Sequence, residues 1–205
     1  MTRTTPAAVV FDLGNVLIGW DPHPAVAAAM GPDEATRFMS ADDFDFSAYN
    51  HEQDLGRPWD EAEAALSRSH PHWHEHAIAY RTHFDLSLSE LEDNVAVLRD
   101  LHGAGVRLHA LTNWSQELFP RALERFDFLQ LFETIVVSGE ERVAKPDAQV
   151  FALLERRIGQ PLTDCVFIDD NPKNVEAARA AGLDAVHLTE QVSLRAELRA
   201  RGLPV

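Results

Sequence analysis

Ala7-Ala-Val-Val-Phe-Asp-Leu-Gly-Asn15 is an apolar run that ends in a carboxylate, followed two residues on by a glycine. Its apolar residues are consecutive rather than alternate, the mark of a strand buried on both faces, and such strands belong to parallel sheets covered by helices. Similar runs return at 106–112, 134–138, 165–168 and 184–188. Between the later ones lie amphipathic helical patterns. Leu118, Ala122, Leu123 and Phe126 share a face over 117–126, and Val150, Phe151, Leu154 and Ile158 share one over 148–158. The Ala-rich stretch 175–181 stops at Gly182, a helix C-terminal signal. Strands alternating with helices of this length predict an α/β fold, a parallel sheet with helices on both faces.

Residues 18–90 break the alternation. They hold no comparable β-branched run but several helical patterns punctuated by Pro22, Pro24, Pro32, Pro58 and Pro71, with 59–69 and 73–84 the clearest. The chain therefore divides into an α/β core over 1–17 and 91–205 and a small helical cap insertion over 18–90. A last pattern at 193–201 reads as a solvated terminal helix. The 205 residues, 45% hydrophobic, suffice for one large domain with an insertion. Thirty-three acidic against 18 basic residues give a net charge of −15, which argues against nucleic acid as a partner. No apolar stretch is long enough for a membrane span, and residues 1–6 carry no signal-peptide core. A lone cysteine, Cys165, fits a reducing, cytoplasmic setting. The oligomeric state is left open.

Polar residues recur where the apolar runs end: Asp12, then Thr112-Asn113, then Lys145-Pro146, then Asp169-Asp170-Asn171. In an open parallel sheet, ligands bind at the carboxyl ends of the strands, where strand order reverses. That topology would gather Asp12, Asp169 and Asp170 at one edge. Like charges about 4 Å apart at an effective dielectric near 20 repel by roughly 4 kcal/mol per pair, and a divalent cation with a taste for hard oxygen ligands, Mg²⁺, resolves the conflict. Lys145 adds a fixed positive charge, while Thr112 and the backbone after it offer donors to phosphate oxygens. This is equipment for phosphoryl transfer.

The segments Val9-Val-Phe-Asp-Leu-Gly-Asn-Val-Leu17, Ala110-Leu-Thr-Asn113, Ala144-Lys-Pro-Asp147 and Val166-Phe-Ile-Asp-Asp-Asn171 resemble the four motifs of the haloacid dehalogenase superfamily, in order and in spacing. The resemblance spans nearly the whole chain, and it implies a Rossmann-like core with a small cap after the first motif. It further implies a phosphatase acting on a small phosphorylated, sugar-like metabolite. Asp12 would be the nucleophile, forming an aspartyl-phosphate that water hydrolyses. Asp12, the Gly14 carbonyl and Asp170 would hold Mg²⁺, with Asp169 a further ligand or a partner behind them. Thr112, Asn113 and Lys145 would bind the phosphoryl group, Lys145 also steadying Asp12.

Two departures stand out. Most phosphatases of the superfamily carry a proton-transferring Asp two residues after the nucleophile, where this chain has Gly14; Asp21 and His23 are the nearest substitutes in sequence. Asn174 stands where many relatives have an acid. A 2-haloacid dehalogenase, with Asp12 attacking carbon, needs no such proton donor, but Asp169 and Asp170 would repel its carboxylate substrate. A phosphate-sensing module without catalysis is a third reading, which the intact nucleophile and metal acids disfavour. In the cap, Tyr49, Asn50 and Asp54 are candidates for specificity. His70-Pro-His-Trp-His-Glu-His76 reads as a solvated face rather than a metal site, and Trp20, Trp59, Trp73 and Trp114 as packing residues, with Trp114 a candidate for the pocket wall.

Overall fold

The computed structural model describes residues 5–205; residues 1–4, part of the stretch read for a leader, lie outside them. Among the described residues seven strands are present: β1 Ala8–Phe11, β2 Ile18–Trp20, β3 Leu88–Glu90, β4 Arg107–Thr112, β5 Thr134–Val137, β6 Cys165–Asp169 and β7 Asp184–His187. Five form one parallel sheet in the order β5-β4-β1-β6-β7. Phe11 of β1 pairs with Ala110 on one side and Ile168 on the other, so β1 is central and the strand order reverses at its end. That reversal places the carboxyl end of β1 at the crevice where such sheets bind ligands.

Period-two alternation assigns the side chains to two faces. Val9, Phe11, Leu108, Ala110, Val166 and Ile168 belong to one buried cluster. Ala8, Val10, Leu111, Cys165 and Phe167 belong to the other. Each expected strand run holds a strand, and the sheet is the α/β architecture expected from them.

Between β2 and β3, which pair antiparallel, run five helices: α1 His23–Met30, α2 Pro32–Met39, α3 Phe46–Asp54, α4 Trp59–Ser69 and α5 His74–Thr82. Three-residue strands carry too little pattern to be legible in sequence, so β2 and β3 are additions to the reading. The expected helix over 73–84 is interrupted, since Pro71–Trp73 and Phe84–Ser87 are 3-10 turns on either side of α5. Phe38, Phe46, Trp59 and Tyr80 of this segment join the same buried cluster as Val9 and Phe11.

After β3 come α6 Glu92–Gly103, α7 Phe119–Arg125, α8 Ser138–Glu141, α9 Ala148–Ile158, α10 Pro172–Ala180 and α11 Leu194–Ala200. Leu123 departs from the expected apolar face of α7, being 40% exposed. The terminal helix α11 is corrected too: it is docked rather than solvated, with Leu194 and Leu198 buried. Its i, i+4 leucines are an apolar stripe that charged neighbours mask in sequence. Among the described residues, no helix is long and apolar enough to cross a membrane.

Candidate active site

Asp12 follows β1 directly, its N–H donating to the Ile168 carbonyl (2.8 Å), which extends the β1–β6 register by one residue. The chain then turns sharply. Asn15 adopts a left-handed conformation (φ 53°), and the N–H groups of Leu17 and Ile18 both donate to the Leu13 carbonyl (2.9 Å each). Asparagine tolerates this conformation better than most side chains, and its Oδ1 accepts from Trp20 N–H (3.1 Å) while its amide reaches Asp170.

Lys145 is the electrostatic centre. Only 2% exposed, its Nζ lies 2.8 Å from Asp12 Oδ2 and 2.7 Å from Asp169 Oδ2. Burial disfavours its charge, but Asp12 and Asp169 reverse that and hold its pKa above the usual lysine value. Asn113 latches the loop that carries it, donating to the Lys145 carbonyl and accepting from its N–H, both at 2.9 Å. The Asn113 side chain thus positions that loop, and the residue also lines the cavity. Thr112 is buried at the end of β4, behind the cavity wall that Asn113 lines.

The two adjacent acids have different surroundings. Asp169 is fully buried, and besides Lys145 it accepts from Asn171 N–H (2.8 Å) and from the Asn174 amide (3.1 Å to each oxygen). An acid at 174 would repel Asp169, so the amide there is matched to this chain. Asp170 is half-buried and lines the cavity; burial, then the charge of Asp169, holds its carboxyl above the usual range. Asn171 caps α10, its Oδ1 accepting from Lys173 N–H (3.0 Å).

Asp12, Asp169 and Asp170 bring carboxylate oxygens within 4.8 Å of one another. Burial pushes Asp12 up to about 7, opposed by Lys145 and reinforced by Asp169 and Asp170. With all three carboxylates ionised against one ammonium, the site would carry a charge of −2. Hard oxygen donors with that excess fit a divalent cation such as Mg²⁺, and its charge would keep Asp12 ionised.

These groups open on a cavity of about 260 Å³ whose strand-end wall includes Asp12, Gly14, Lys145 and Asp170. The rest of the lining includes an apolar group, Trp20, Tyr80, Phe84, Trp114 and Leu118, and the inserted helix α3 adds Asn50 and Asp54 to it. A Cβ built on Gly14 would meet nothing within 4 Å, so crowding does not exclude an acid there. Asp54 ends α3. Its Oδ2 accepts from the Asn50 amide (3.1 Å), its carboxylate from the Ser115 N–H, and its carbonyl from the Ser138 hydroxyl. Burial raises this carboxyl to about 7 against those hydrogen bonds.

Other expected residues are employed elsewhere. Asp21 Oδ1 accepts from His23 N–H (3.0 Å), and His23 Nε2 lies near the Pro32 carbonyl and Thr36 Oγ1, so neither lines the cavity. Tyr49 is buried under Phe44 and Trp59 rather than in the cavity wall. Its neighbours Asn50 and Asp54, four apart on α3, share the face that Tyr49 does not. In the histidine stretch, His72 pairs with Asp43 (2.9 Å), and buried His76 packs on Phe38 and Trp73. Trp114 lines the cavity between Phe84 and Phe119.

Known proteins resemble this chain in sequence and in fold. The family described as haloacid dehalogenase-like hydrolase matches residues 6–182. A sesquiterpene phosphatase of Aspergillus oryzae is 27% identical over 205 residues, covering 96% of each chain. An (S)-2-haloacid dehalogenase of Pseudomonas putida is 26% identical over 116 residues, 57% of this chain and 51% of its own. In fold, a haloacid dehalogenase family enzyme of Bacteroides thetaiotaomicron, solved as its magnesium complex, superposes with a TM-score of 0.73 at 17% identity, over 97% of this chain and 100% of that one.

Proposed function

Since the chain belongs to the haloacid dehalogenase-like hydrolases, we propose that it is a Mg²⁺-dependent phosphatase that hydrolyses a small phosphorylated metabolite through an aspartyl-phosphate on Asp12. The observation that carries this reading is the Lys145-bridged acid cluster, left with a charge of −2 and open to the cavity. In it, residues 1–17 and 91–205 form the catalytic core, and 18–90 form the cap that covers it. Asp12, the Gly14 carbonyl and Asp170 would hold Mg²⁺, which supplies positive charge to the nucleophile and the phosphoryl oxygens. Asp169, enclosed by Lys145, Asn171 and Asn174, orients the lysine. Lys145 draws a phosphate oxygen toward Asp12, and the N–H of Asn113, directly after Thr112, receives another.

The aromatic wall suits an organic group with an apolar face. A sugar ring presents one, and so does an isoprenoid, the chemistry named for the Aspergillus oryzae relative. The dehalogenase alternative puts a carboxylate substrate beside Asp169 and Asp170, an unfavourable encounter.

A screen of sugar, polyol and isoprenoid monophosphates, with Mg²⁺ and with EDTA, tests the reading beside halide release from 2-chloropropionate. Phosphate release is expected to stop in EDTA and return with Mg²⁺. Asp170→Ala should weaken Mg²⁺ binding by at least about 10²-fold in calorimetric titration. Asp169→Ala should act first on stability, since it leaves Lys145 underpaired in a buried site. Halide release indifferent to EDTA would install the dehalogenase instead.

A further inference from the structure

Departure of an alkoxide from phosphorus needs a proton, and Gly14 has none to give. In-line displacement puts the leaving oxygen on the side of phosphorus away from Asp12, so a donor has to belong to the cavity wall that the strand ends do not build. Among the described residues lining the cavity, the carboxyls are Asp12, Asp170 and Asp54, and the first two are members of the acidic cluster.

Resting on the phosphatase reading, we propose that Asp54 is the catalytic acid that protonates the leaving oxygen. As an Asp12 oxygen bonds to phosphorus, the ester P–O bond breaks with its electron pair on the departing oxygen. The Asp54 carboxyl proton passes to that oxygen, giving a neutral alcohol, an Asp54 carboxylate and phosphorylated Asp12. Water then attacks phosphorus and yields a proton to Asp54. The Asp12–phosphorus bond breaks, inorganic phosphate leaves, and both carboxyls return to their starting state.

Position and chemistry support the assignment. Asn50 of α3, the Ser115 N–H and the Ser138 hydroxyl fix the end of α3, the last two reaching across from the core. Trp59, just beyond, ties the same segment down through its Nε1 to Ser115 Oγ (3.0 Å) and its N–H to Glu117 Oε1 (3.1 Å). The carboxyl, held up to about 7 by burial, is largely protonated in mildly acidic solution and keeps its proton in about half of the molecules at neutral pH, as a general acid requires. The titratable groups that share its surroundings are Tyr80 of α5 and, on the strand-end wall, Asp12, Asp170 and Lys145. Tyr80 is the weaker acid, because burial pushes its phenol far up.

The test is kcat/KM for Asp54→Asn across esters of graded leaving-group pKa, from p-nitrophenyl phosphate to simple alkyl phosphates. The isosteric amide keeps an acceptor for Asn50. Alkyl phosphates should slow by about 10²–10⁴-fold, and p-nitrophenyl phosphate by less than about 10-fold. The melting temperature supplies an independent readout. A buried carboxyl with a raised pKa adds stability at low pH that is lost as pH climbs through about 7. The variant should therefore gain on the parent over that rise. Should the variant not fold, the unaltered protein decides: its alkyl-phosphate rate should fall above about pH 7 relative to its p-nitrophenyl phosphate rate, and parallel profiles overturn the proposal. Equal slowing of both substrate classes, or none, also overturns it while leaving the phosphatase reading in place. Failure of the unaltered protein to release phosphate from any ester overturns both.

Discussion

Asp12→Asn is expected to fold like the parent and to lose at least about 10⁴-fold in kcat, the scale seen when a catalytic nucleophile is removed. Folding should survive because the amide oxygen can still accept from Leu13 N–H (2.7 Å in the parent). Lys145 also keeps Asp169 as its counterion. One charge leaves a site that holds an excess of two, and burial already works against that charge. The loss is instead chemical, because an amide nitrogen or oxygen is a poor nucleophile toward phosphorus. Phosphate release by a preparation shown to be homogeneous by mass, with a melting curve alongside, measures both halves. Turnover within tenfold of the parent would count decisively against covalent catalysis by this residue.

Lys145→Met should damage both stability and activity. Its ammonium is the link between Asp12 and Asp169, and methionine preserves length without charge. Removing one member of a buried ion pair typically costs 3–5 kcal/mol, which for a chain of this size is a fall in Tm of roughly 6–20 °C. The deficit has a predictable pH dependence. Without the ammonium, burial and Asp169 raise the Asp12 carboxyl further, so it takes up a proton more readily as pH falls. Melting at pH 5 should therefore show a smaller deficit than melting at pH 8. Phosphate release should be negligible at both. A variant as stable as the parent at pH 8 would mean that the carboxylates find other compensation.

The sheet was legible because its strands are buried on both faces and so read as unbroken apolar runs. The polar residues that punctuate those runs were legible for the same reason: Asp12, Asp169 and Asp170 stand out against what precedes them, whereas Lys145 lies past Glu140, Glu141 and Arg142 and was legible through its motif. Asp54 did not stand out as a proton donor. It sits in a segment without strands, its burial depends on contacts with Ser115 and Ser138 far along the chain, and nothing local marks a raised carboxyl. The i, i+4 pairing of Asn50 with Asp54 was the one available signal, and it would also have separated them from Tyr49. Asp21 and His23 drew notice through closeness in sequence to Asp12, yet short turns and helix starts consume such residues in local hydrogen bonds. Asn113 has a second use that its position in a motif did not mark, since its side chain holds the Lys145 loop while the residue lines the cavity.

The aromatic residues of the inserted helices and the apolar face of the central strand belong to one uninterrupted cluster. Two bodies with a seam between them would melt separately, the smaller one first. Among the described residues the two share one apolar cluster, so calorimetry should record a single cooperative endotherm, with the van't Hoff and calorimetric enthalpies equal. Amides of α4 and α5 should exchange with solvent on the slow timescale of β1 rather than by an independent opening. Slow exchange there would mean that the segment does not swing on a hinge and that ligands come and go through the mouth of the pocket.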